Sequence, residues 1–132
     1  MNFENSKFEN RRFLFQNISK VLPDNPWVIK ANEKMKTYSK SEYAIMLKEA
    51  YDFQDKFDKA ISLNIPAKTE EGHELFILFI KHAEWFFEID KDVYQEIIDL
   101  CKSNSNQFLF VNQLYSDLLY NILIEYRSEL KL

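Results

Sequence analysis

The chain is most telling in what it has little of. It contains a single glycine, Gly72, and a single cysteine, Cys101, in 132 residues. One glycine cannot build a phosphate-cradling loop, which needs several to let backbone amides close around an anion. One cysteine excludes an internal disulfide and fits a reducing, cytoplasmic setting. The longest apolar run, Leu75 to Ile80, falls far short of the ~20 residues that span a bilayer. No N-terminal stretch combines a basic region, an apolar run and a cleavage site, so no signal peptide and no membrane association are expected. Basic charge is also scarce. The net charge is −4, acidic and basic residues are interleaved, and Arg11-Arg12 is the sole pair of adjacent arginines. Counterion release from phosphate backbones requires a basic patch, so direct nucleic-acid binding is not expected.

What the chain does have is rings. Phe, Tyr and Trp make up 16% of it, as 12 Phe, 7 Tyr and 2 Trp. Such side chains supply rigid apolar faces that either pack a core or grip a flat ligand. They crowd most densely in His82-Ala83-Glu84-Trp85-Phe86-Phe87.

The periodicity predicts an all-α single domain of about five helices. Phe8, Phe15, Ile18 and Leu22 recur at helical spacing over residues 3–22, without a strong cap. Pro23-Asp24-Asn25-Pro26 ends that segment, and Trp27 to Thr37 is short and ambiguous. Ser39-Lys40-Ser41-Glu42 is a capping box that opens a helix running to about Leu63. Asn64-Ile65-Pro66 stops it. Thr69 caps a third helix, with Glu70 and Glu71 where the macrodipole favours negative charge. Its stripe reads Leu75, Phe76, Phe79, Ala83, Phe86 and Phe87. Asp90 or Asp92 caps a fourth helix through Cys101, and a polar stretch from Ser103 to Asn106 follows. The last helix repeats Val111, Leu114, Tyr115, Leu118, Leu119, Ile122, Leu123 and Tyr126 at three and four. No strand pattern and no internal repeat is present.

Catalytic constellations are thin. His73 and His82 are too far apart on one helix to share a metal, because paired ligands need a spacing of three or four. No metal site and no cofactor are expected. The carboxylate pairs lie at helix starts, where capping accounts for them. Cys101 with His82 is the only nucleophile and base pairing available, and a lone cysteine is more often a small buried hydrophobe. The chain is expected not to be an enzyme.

In the order and spacing of its motifs the chain resembles the TipAS family, the antibiotic-recognition domain at the C-terminus of TipA-type MerR regulators. The resemblance spans Ala31 to Tyr126. It runs through Ala31-Asn32-Glu33-Lys34-Met35-Lys36, the Ser39-Lys40-Ser41-Glu42-Tyr43 helix start and the Pro66 turn. His82-Ala83-Glu84-Trp85, then Tyr94, and the closing Tyr115, Leu118, Leu119, Ile122, Leu123 and Tyr126 complete it. It implies a globin-like helical domain over residues 31–132 that holds thiopeptides or other bulky multi-ring antibiotics in an aromatic cleft. It also implies an N-terminal segment, residues 1–30, that folds over the ligand as a lid.

On this reading Trp85, Phe86 and Tyr94 form stacking walls, Phe79 and Tyr115 the floor, and His82 a polar handle. Some members of the family capture ligand through a cysteine thiolate, and Cys101 lies close to, though not at, that position. Leu114 stands where the family has a glycine. The DNA-binding domain and coiled coil of the full regulators have no counterpart in these residues. The expected function is therefore a stand-alone, non-catalytic drug-binding domain for sequestration or sensing. The alternative is an interaction module whose aromatic surface meets a partner helix or a second copy in a homodimer.

Overall fold

The computed structural model describes residues 24–102 and 113–132. Among them are five α-helices, a terminal 3-10 helix and no strand. They are α1 (Pro26–Lys36), α2 (Lys40–Ser62), α3 (Glu70–Ala83), α4 (Lys91–Lys102) and α5 (Gln113–Glu125), with the 3-10 helix at Arg127–Leu130. The expected helix over residues 3–22, and with it most of the expected lid, lies outside the described residues, as does the polar stretch Ser103 to Asn106. No helix among the described residues is long and apolar enough to cross a membrane.

The helix starts follow local chemistry. Asn25 caps α1 by accepting from the Trp27 amide, and Pro26 occupies the first helical position, where its missing N–H costs nothing. The Asn25-Pro26 end of the stretch read above as a terminator is therefore also a start signal. The resulting helix runs straight across the boundary expected at residue 30. Ser39 and Glu42 form the predicted capping box on α2, with bonds of 3.1 and 3.0 Å. That helix ends where Asn64 takes a left-handed φ of 53°, a conformation asparagine tolerates, and the Ile65 amide returns to the Ala60 carbonyl. Of the two candidate caps for α4 it is Asp90 that serves, its carboxylate accepting from the Val93 amide at 2.8 Å.

One expectation is corrected. The apolar stripe of α3 does not continue in helical form through Phe87, since the helix stops at Ala83. Residues 84–86 form a tight turn in which the Trp85 and Phe86 amides bond the His82 and Ala83 carbonyls. Three consecutive rings cannot all reach one helical face, and aromatic residues have modest helix propensity. Leaving the helix lets Phe86 and Phe87 both become buried while Trp85 stays half-exposed.

Helix α5 is the centre of the packing and touches α2, α3 and α4. Its Leu119, Ile122 and Leu123 are completely buried. They meet Phe53 and Phe57 of α2, Phe76 and Phe79 of α3, and Ile97, Ile98 and Cys101 of α4 in one continuous core. Burial of each such side chain is worth about 2 kcal/mol, so the core rather than propensity holds the helices.

The turn between α2 and α3 is tied down from several sides. The Thr69 hydroxyl accepts from the Gly72 amide at 3.0 Å and donates to the Pro66 carbonyl at 2.8 Å. The Tyr126 hydroxyl donates to the carbonyls of Ala67 and Thr69, at 2.8 and 3.1 Å. A Cβ on Gly72 would lie 2.0 Å from the Ala67 carbonyl oxygen. The sole glycine is thus required by close approach of two backbones.

Candidate functional site

The opposite end of α3 is open. A cleft of about 700 Å³ lies between α1, the chain leaving α3, the start of α4 and the C-terminal residues. Trp27, Phe86 and Phe87 give it rings, and Ile80, Ile89, Val93, Leu130 and Leu132 add aliphatic surface. Trp27 meets Phe87 edge-on, with centroids 4.7 Å apart, and Phe86 and Phe87 are tilted at 6.0 Å. Charged residues also line it: Lys30 and Lys34 from α1, and Glu84, Glu88 and Asp90 from the segment between α3 and α4.

Polar bonds hold α1 over this segment. The Lys34 ammonium donates to the Glu84 carbonyl at 2.8 Å, and the Tyr38 hydroxyl donates to the Trp85 carbonyl. Both satisfy carbonyls just past the end of α3, where a helix leaves acceptors unpaired. The Tyr38 ring packs edge-on against Trp85 at 5.3 Å. At the far side the Asn25 amide reaches Glu96 at 3.4 Å. Val28 and Ala31 bury the inner face of α1.

The residues expected to bind ligand are not brought together at one surface. Only Phe86 lines the cleft. Phe79 is 1% exposed and packs on Phe53 at 5.9 Å, within the core. His82 lies between Phe53 and Phe86, at 6.4 and 5.2 Å, and burial lowers its pKa to about 4. It is therefore a neutral ring at physiological pH. Trp85 is half-buried and donates its indole N–H to Glu49 at 3.0 Å. Tyr94 is 1% exposed, and its hydroxyl donates to the Leu123 carbonyl, joining α4 to α5. Burial raises the pKa of that phenol well above its usual value. Tyr115 stacks on Phe57 at 5.5 Å and donates to the Asp58 carboxylate, on the α2–α5 contact. Its phenol is also raised, first by burial and then by Asp58.

Cys101, the position considered for covalent capture, is 1% exposed and belongs to the core. Burial pushes its thiol up to about 12, so at neutral pH it is protonated and a poor nucleophile. Among the described residues no three His, Cys, Asp or Glu side chains cluster as metal ligands would.

Sequence reasoning placed the cleft around His82 to Phe87 but missed Trp27, Val93 and Leu130 as neighbours of Phe86 and Phe87 around one space. Trp27 sat in the stretch read as ambiguous, although the Asn25-Pro26 start signal was present. Leu130 lies beyond the last regular helix, where periodicity carries no information. The chain matches no family model, no curated protein and no solved structure.

Proposed function

We propose that this protein is a non-catalytic receptor that sequesters or senses a bulky, ring-bearing hydrophobic small molecule in the cleft beside Trp27. The observation that carries this reading is the cleft itself. Its volume of about 700 Å³ falls among those of drug-sized ligand sites. Its lining mixes apolar side chains, three of them ring-bearing, with charged ones, so that rings can stack on a ligand while the charges orient it. Multi-ring antibiotics of the thiopeptide kind, the ligands suggested by the TipAS resemblance, are the first compounds to try.

Placement of His82 and Cys101, the one base and nucleophile pairing the sequence offered, does not support catalysis by that pair. His82 is a buried neutral ring, and the Cys101 thiol is protonated within the core. Neither lines the cleft, where a bound molecule would be held. The ring wall is instead made by residues with no proton to exchange.

Fluorescence separates the two tryptophans. With Trp85→Phe, the remaining Trp27 lies in the cleft and should report saturable quenching or enhancement on titration with ring-bearing antibiotics. With Trp27→Phe, the remaining Trp85, bonded to Glu49, should respond weakly. Absence of any saturable signal in the Trp85→Phe protein across a panel of such compounds would overturn the receptor reading.

A further inference from the structure

The charged border of the cleft is not balanced once local duties are assigned. Lys34 is engaged with the Glu84 backbone carbonyl at 2.8 Å, where it offsets the negative end of α3. Asp90 is engaged as the cap of α4, where it offsets that helix's positive end. These two charges therefore answer to helix termini rather than to a ligand. The Glu84 and Glu88 carboxylates remain, both exposed, and make no ion pair among the described residues. Among the described residues of the lining, the cation without such a duty is Lys30. The overall charge of −4 reinforces the same sign. Ring faces attract cations through their quadrupole, so the wall and the rim favour the same charge.

We infer that the cleft selects ring-bearing ligands that carry a positive charge, with Trp27, Phe86 and Phe87 holding the rings and Glu84 and Glu88 supplying the attraction. This rests on the receptor reading and specifies its ligand class as lipophilic organic cations.

Three probes of similar shape test it by calorimetry at low salt: tetraphenylphosphonium, neutral triphenylphosphine oxide and tetraphenylborate. The phosphonium should bind about tenfold tighter than the borate, the combined effect of two exposed carboxylates, with the neutral compound between them. Raising the salt should narrow the gap, since these charges are screened. The Glu84→Gln, Glu88→Gln double variant should lose the preference and keep its affinity for the phosphine oxide. Equal or tighter binding of the borate overturns the inference and leaves the receptor reading standing. So does a double variant that retains the full preference. Failure of all three compounds to bind overturns both.

Discussion

At the N-terminal end of α3 the backbones of Ala67 and Gly72 come too close for any side chain, and Thr69 and Tyr126 bond across the junction. At its C-terminal end the helix gives way to a turn whose rings border about 700 Å³ of open space. Both ends close the same 14-residue helix, and both have aromatic side chains at hand. The difference lies in what the rings contact. Tyr126 lies against His73 and Phe76, at 4.8 and 5.5 Å, and places its hydroxyl on two carbonyls. Trp27 meets Phe87 by its edge and leaves part of its surface to the cleft. A pinned end fixes the helix, and an open end can receive something. Stability should therefore be sensitive at Gly72 and binding at Trp27.

The strongest way to break this contrast is Gly72→Ala. The new methyl would meet backbone, which cannot swing aside as a flexible side chain can, and should cost about 3 kcal/mol in urea unfolding. A loss below ~0.5 kcal/mol would show that the junction is not closed as described.

His82 gives an effect of similar size that is read by pH. Its pKa is about 4 when folded, against 6.5 in the unfolded chain. Between those values the unfolded chain holds the proton and the folded one does not, so stability falls as pH drops from 6.5 towards 4. The full loss is about 3 kcal/mol. Replacing His82 by Phe should remove this component of the acid sensitivity. An unchanged slope in H82F would mean that the ring is not desolvated in the native state.

Tyr126→Phe removes one hydroxyl and two bonds at the pinned end, for an expected loss of about 1 kcal/mol. It should leave ligand affinity unchanged. Trp27→Leu reverses the pattern. Losing its edge contact with Phe87 should cost less than ~1 kcal/mol of stability, while affinity for a ring-bearing ligand drops by about tenfold or more. If Tyr126→Phe weakened binding as much as Trp27→Leu, the two ends would not be functionally distinct.

Much of the architecture was readable from sequence because it rests on local signals. The Ser39/Glu42 box, the Thr69 cap and the three-and-four spacing through Leu118, Leu119, Ile122 and Leu123 each act within one element. The helical class and most of the core follow from them. The site did not, for two physical reasons. Rings on a helical stripe look alike whether they face protein or open space, so Phe79 and Tyr94 were indistinguishable from Phe86. The cleft is also assembled across the chain, from Trp27, Phe87 and Leu130, and no spacing rule joins such positions. The end of α3 at Ala83 is hidden in the sequence because Phe86 and Phe87 continue its apolar pattern. The turn shows in the bonds from the Trp85 and Phe86 amides to the His82 and Ala83 carbonyls, and in the acceptors it offers to Lys34 and Tyr38.

The central claim is that ligand enters beside Trp27 and leaves the Gly72 junction undisturbed. It is tested most directly by following backbone amide chemical shifts while a binding ring compound is titrated. The account predicts shifts concentrated at Trp27, Lys30 and Phe86 to Glu88, with Gly72, His73 and Tyr126 unmoved. Shifts centred on Gly72 and Tyr126, with Trp27 and Phe87 silent, would contradict it.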